Sequence, residues 1–172
     1  APLVERLKTG LLTQPTLFAD ETPLKVVKSD KVNSYMWVYC SGRDSPEPNN
    51  PIPNIALYDF HNSRAAACVV NYLDGYQGYL HVDGYQAYEK TQATLVGCWA
   101  HARRKFIDAK KLQGKNKTGK ADVVLSLIQK LYGVESRVKD KSADDKYTTR
   151  QAVSVPILDK LKAWLEQNQP NL

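Results

Sequence analysis

The order of short apolar runs constrains the fold of this chain more than any other feature of its sequence. Three strand-like runs come first, over Thr16–Val27, Ser34–Ser41 and Ile55–Phe60. A helical stretch, Arg64–Leu73, separates them from a fourth run at Tyr79–Val82. One helical turn at Tyr85–Lys90 then leads to a fifth run, Thr94–Gly97. Ser34–Ser41 (SYMWVYCS) is the clearest strand, dense in aromatic and β-branched side chains. Three strands, helix, strand, short helix, strand is a pattern that suits a mixed α/β sheet flanked by helices.

The segments around these runs are equally readable. Leu3, Val4, Leu7, Leu11 and Leu12 recur at helical spacing, and Pro15 ends that helix. Ser63 reads as the N-cap of the Arg64–Leu73 helix and Gly75 as its stop. Gly42–Pro53, with four prolines, reads as a loop. A helix is expected from about Trp99 to Leu112, followed by a Gly/Lys/Asn-rich hinge at Gln113–Lys120. Two further helical patterns follow. Asp122–Val138 sets Val123, Leu127, Ile128, Leu131, Val134 and Val138 on one face. Ser142 and Asp145 offer a capping box for the second, in which Val155, Leu158, Leu161, Trp164 and Leu165 repeat. Pro156 inside that repeat demands a new first turn or a kink. Residues 1–112 thus read as an α/β core, and 113–172 as a helical hairpin attached after the fifth strand.

Charge and cysteines narrow the function. The chain of 172 residues fits one domain and carries a net charge of +6. Residues 101–120 hold eight Lys/Arg and one Asp, a local excess larger than the net charge of the whole chain. The positive field is concentrated there, as a polyanion-binding surface or simply as a solvated basic face. Three cysteines without CxxC spacing argue against a disulfide framework. Zinc would have only Cys98 and His101 from this region, two ligands of a four-ligand site. No signal peptide or membrane span is visible, so a reducing cytoplasm is the simplest expected home. Starting at Ala rather than Met, the sequence reads as a domain excised from a longer product.

Asp20 and Asp83 each lie at or near the end of an apolar run. Two carboxylates on neighbouring strands can share a hard cation that keeps waters for phosphate oxygens to replace. The alternative is that both are turn residues, since Asp83-Gly84 is a turn dipeptide. Strand alternation sends Glu21 to the face opposite Asp20, so it is not counted as a ligand. Asp59 lies at the end of the third run, where it either caps the next helix, the favoured reading, or borders the acids. His101, Arg103, Arg104 and Lys105, with Lys110 and Lys111, form the basic set. Arginine forks suit bidentate phosphate contacts, and His101 can contact phosphate or assist proton transfer.

Ala19-Asp20-Glu21-Thr22-Pro23, Asp83-Gly84-Tyr85-Gln86-Ala87-Tyr88 and Gly97-Cys98-Trp99-Ala100-His101-Ala102-Arg103-Arg104-Lys105-Phe106 together resemble the insertion sequence 66 family of DDE transposases. The resemblance covers nearly the whole chain. It implies an RNase H-like mixed sheet with a helical insertion after the fifth strand. It implies Asp20 and Asp83 as the first two catalytic acids, Mg²⁺ or Mn²⁺ as the metal, and DNA, both transposon ends and target, as substrate. The implied reaction is strand cleavage to a 3′-hydroxyl and attack of that hydroxyl on target DNA. The setting would be a bacterial, nucleoid-associated protein, with a homo-oligomer in its full-length form. The family's third acid lies in an Asn-Asn-x-x-Glu-Arg-like motif that does not occur before Leu172. The remaining late glutamates, Glu135 and Glu166, fall in the expected insertion helices, so the chain by itself is expected to cleave little or no DNA. Two other readings of the same residues are a non-catalytic nucleic-acid-binding domain and a nuclease on the same fold.

Overall fold

The computed structural model describes residues 2–27, 33–42, 54–112 and 119–169. Most of the expected Gly42–Pro53 loop and Gln113–Lys120 hinge lies outside them. The chain divides into two compact units, Ala1–Cys98 and Trp99–Leu172.

The first unit contains α1 (Pro2–Leu12), β1 (Thr16–Leu24), β2 (Ser34–Cys40), β3 (Ala56–His61), α2 (Ala66–Tyr72), β4 (Tyr79–Val82), a 3₁₀ turn (Gln86–Lys90) and β5 (Thr94–Gly97). The strands form one sheet in the order β3-β2-β1-β4-β5. β1, β2 and β3 pair antiparallel, while β4 lies parallel to β1 and β5 parallel to β4. The split follows from the connections. Parallel neighbours cannot be joined by a tight hairpin, and the two parallel additions come after α2 and the 3₁₀ turn.

Period-two alternation decides which face is dry. On β1, Leu17, Ala19 and Glu21 are buried while Phe18, Asp20 and Thr22 are exposed. Trp37 and Tyr39 of β2, Leu57 of β3, and Leu80 and Val82 of β4 join Leu17 in a core closed by Leu11 of α1 and by Val69 and Leu73. Tyr39 stacks on Tyr72 with ring centroids 3.8 Å apart. Burying Leu17 or Leu80 fully contributes roughly 1.5–3 kcal/mol each.

The second unit is helical: α3 (Trp99–Lys111), α4 (Lys120–Val138), α5 (Ala143–Thr149), a π-helical turn (Arg150–Ser154) and α6 (Val155–Asn168). Val124, Ile128 and Leu161 form its centre, with Phe106, Leu127, Trp164 and Leu165 packed around them. Ser142 caps α5, its hydroxyl accepting from the Asp145 amide at 3.1 Å. The widened turn answers the problem set by Pro156, whose ring would meet the carbonyl four residues back in a regular helix. There the Val155 amide donates to the Arg150 carbonyl instead. Among the described residues, no helix is long and apolar enough to cross a membrane.

Three local expectations need correction. Ser63 does not cap α2: its hydroxyl accepts from the Ala65 amide at 3.0 Å, and Ala65 stands at the cap position. Asp59 does not cap α2 either. It pairs with His61 Nε2 at 2.7 Å along β3. On α4 the buried face includes Val124 in place of Val123, which is 40% exposed, while Ile128, Leu131, Val134 and Val138 are buried as expected.

Candidate functional site

Asp20 sits within β1, opposite Val38 of β2. On its other flank, the pairing with β4 runs through Phe18 and His81, whose rings stack with centroids 4.7 Å apart. Burial pulls the His81 pKa down, which favours a neutral ring in that stack. Asp20 follows Phe18 by two residues on the same exposed face of β1. Asp83 follows His81 by two residues, one step beyond the end of β4. β4 stays paired to that point, since the Cys98 amide donates to the Val82 carbonyl at 3.0 Å.

Each acid accepts one backbone hydrogen bond. Asp20 Oδ1 takes the Glu21 amide at 2.9 Å. Asp83 Oδ1 takes the Tyr85 amide at 2.9 Å, across a turn made possible by Gly84 at φ +94°. The turn reading of Asp83 is therefore correct as local structure and leaves the ligand reading open, because a carboxylate has further lone pairs to offer.

Glu21 is the residue whose importance sequence reasoning missed. It points away from Asp20, as alternation requires, and its side chain is 1% exposed. Oε1 accepts from Arg64 Nε at 3.0 Å and also from a second Arg64 nitrogen. Oε2 accepts from the Tyr88 hydroxyl at 2.7 Å. Its bond to Glu21 raises the Arg64 pKa further, while burial first, and then the phenol's own bond to Glu21, pushes Tyr88 far up. The available signal was parity: an acid on the buried face of a strand must find donors elsewhere in the fold.

The basic set divides along α3. Arg104 and Lys105 are exposed, whereas His101 and Arg103 are half-buried. His101 Nδ1 and Arg103 Nε lie inside without a hydrogen-bond partner among the described residues. Lys110 Nζ pairs with Asp122 at 2.6 Å and Lys111 Nζ with Asp108 at 2.7 Å, so acids of the same unit offset both charges. The Gly119 amide and then Lys110 hold the Asp122 carboxyl below its usual value. Glu135 is exposed and forked to Arg150 at 2.9 and 2.6 Å, and Glu166 is exposed beside Lys162.

Among the described residues, no group of three or more His, Cys, Asp or Glu is arranged to hold a metal ion. The Asp20 and Asp83 pair nonetheless supplies the donors Mg²⁺ or Mn²⁺ prefers: hard oxygens, few in number, with the remaining positions left to waters and phosphate. The donor chemistry fits such an ion.

A family model described as "Transposase IS66 family" matches residues 1–172. The chain is 33% identical to the uncharacterized protein y4jD of Sinorhizobium fredii (strain NBRC 101917 / NGR234), over 95% of this chain and 34% of the relative. It is 32% identical to the uncharacterized protein y4qI of the same strain, over 92% of this chain and 30% of the relative. For that strain's uncharacterized protein y4hP the identity is 26%, over 99% and 34%. The chain spans about a third of the length of the curated relatives it matches. No solved structure matches it at a significant level.

Proposed function

Because the chain belongs to the IS66 family of transposases, we propose that it forms part of an RNase H-like catalytic domain that cleaves and joins DNA strands by metal-assisted phosphoryl transfer. The sheet order β3-β2-β1-β4-β5, with three antiparallel strands followed by two parallel ones, supports that fold. The observation that carries the reading is the parallel register setting Phe18 against His81, with Asp20 and Asp83 each two residues further on. An acid within β1 and another just past the end of the adjacent β4 suit a shared divalent cation. A bound Mg²⁺ or Mn²⁺ would supply charge stabilisation for the phosphoryl group and a more acidic attacking water or hydroxyl.

The protein's own contribution is to hold Asp20 and Asp83 in place and to bind DNA phosphates. Arg104 and Lys105, exposed on α3, are the best-presented hydrogen-bond donors to phosphate, and Arg103 and His101 lie on the same helix. Lys110 and Lys111 would add affinity only by exchanging their present partners for phosphates. The transposon ends, the target DNA and any oligomer that brings two ends together belong to this proposal.

The test is cleavage and strand transfer by the intact protein on end-containing DNA in Mn²⁺. Asp20→Asn and Asp83→Asn should each abolish both reactions while leaving DNA binding in chelator unchanged. Undiminished cleavage by either variant overturns the assignment. If no cleavage occurs and binding ignores Mn²⁺ but falls with Arg104→Ala, the chain is a binding module. Cleavage without joining would mark a nuclease.

A further inference from the structure

The contacts around Glu21 do more than neutralise a buried charge. Arg64, which forks onto Glu21 Oε1, also lies over the ring of Tyr85, with its guanidinium carbon 3.9 Å from the ring centroid. The Tyr85 hydroxyl donates back to the Arg64 carbonyl at 2.8 Å. Arg64 therefore grips Tyr85 at both its ring and its hydroxyl. Tyr88, in the 3₁₀ turn, closes the other side of Glu21 through Oε2. Glu21 and Tyr85 are also the two residues whose amides donate to Asp20 Oδ1 and Asp83 Oδ1. One arginine thus ties together the two backbone segments that orient the two acids.

We propose that Arg64 is a positioning residue: through Glu21 on one side and Tyr85 on the other, it fixes the spacing and orientation of Asp20 and Asp83 for a divalent cation. The proposal rests on the reading of those acids as a ligand pair. Two N–H groups of one rigid, planar guanidinium converging on Glu21 Oε1 set a direction as well as a distance, which a point charge does not. A small octahedral cation tolerates little error in its ligand geometry. β1 and the Asp83–Tyr88 segment are joined here by side chains, because the β1–β4 pairing ends at Phe18 and His81.

The sign of the effect separates positioning from electrostatics. A guanidinium near the site repels a cation, so its removal would tighten Mn²⁺ binding if charge alone mattered. Loss of positioning weakens it. Mn²⁺ dissociation constants are measured for the intact protein by the spin-resonance signal of free Mn²⁺, at a temperature where circular dichroism shows each variant folded. Arg64→Gln should weaken Mn²⁺ binding by about 10-fold or more, the usual scale for a residue supporting metal ligands. Arg64→Lys, which keeps the charge but not the fork, should fall between the two. Tyr85→Leu, which removes the stacked ring and the hydroxyl without stranding a charge, should weaken binding similarly and decides the matter if Arg64→Gln does not fold. If Asp20→Asn and Asp83→Asn abolish binding while Arg64→Gln or Tyr85→Leu leaves it unchanged or tighter, the positioning role is overturned and the ligand pair stands. If the two aspartate variants bind Mn²⁺ as the parent does, the ligand pair itself falls, and the role of Arg64 with it.

Discussion

Tyr88→Phe isolates one hydrogen bond at the centre of this network. The substitution removes the hydroxyl that donates to Glu21 Oε2 at 2.7 Å and leaves the ring in place. Tyr88 is fully buried and meets Trp37 edge-on, with centroids 6.0 Å apart, so the packing survives the change. Glu21 keeps its bonds from Arg64 and has one donor fewer. A buried hydrogen bond to a charged acceptor contributes about 1.5–3 kcal/mol net. With a slope near 2 kcal/mol per molar urea, a loss of about 2 kcal/mol lowers the unfolding midpoint by roughly 1 M. The control is Tyr85→Phe, the same chemical change at an exposed bond to the Arg64 carbonyl, which should cost no more than about 0.5 kcal/mol. Trp37 reports on the first unit alone once Trp99 and Trp164 are replaced by Phe, and its fluorescence in urea is the assay. A Tyr88→Phe midpoint within about 0.3 M of the parent, or an equal shift from Tyr85→Phe, would refute the claim that the buried carboxylate organises this unit.

Three further outcomes follow from the same structure. Gly78→Ala should destabilise by about 1–3 kcal/mol in thermal or urea unfolding, because a Cβ there would lie 2.8 Å from the Pro15 carbonyl oxygen and closer still to the Tyr76 hydroxyl. Gly97→Ala, with nothing within 4 Å, should cost little. In acid, the Glu135 carboxyl is held below its ordinary value of 4.5 by Arg150, so its stabilisation is present above that value and is lost as pH falls through the lower folded value. Both partners are 48% exposed, which limits the effect to about 1 kcal/mol, and the difference in thermal midpoint between parent and Glu135→Gln should vanish at low pH. In base, burial and then the charge of Asp59 push Tyr72 up to about 12, so the stability it contributes is complete below its ordinary value of 10.0 and disappears as pH rises through about 12. Tyrosinate absorbance should show Tyr72→Phe removing one late-titrating group; an unchanged late step would contradict its burial.

The succession of strands along the chain was legible because each run carried its own local signal. Tyr79–Val82 and Thr94–Gly97 are strands with the bounds their sequence suggests, and Ser142 caps α5 through the residue three places on. Alternation also sent Glu21 to the face opposite Asp20. What lay hidden depended on residues distant in sequence. Glu21 and Arg64 are 43 positions apart, and Glu21 and Tyr88 are 67 apart, so no periodicity announces their contact. Arg64 reads locally as a helix residue, yet it precedes α2 and points its fork at β1. Likewise, nothing local to Lys110 indicates that Asp122, on the next helix, offsets its charge. The shift from Val123 to Val124 on α4 has a different cause: a 3.6-residue period permits neighbouring assignments of one apolar stripe, and only the packing partners choose between them.

The shared metal site is tested most directly by anomalous diffraction from crystals of the intact protein grown or soaked in Mn²⁺. The expected result is an ion bonded to an oxygen of Asp20 and an oxygen of Asp83, each at about 2.1–2.2 Å, with Arg64 still bonded to Glu21. An ion bound elsewhere, or acids that share no ion at saturating Mn²⁺, would contradict it.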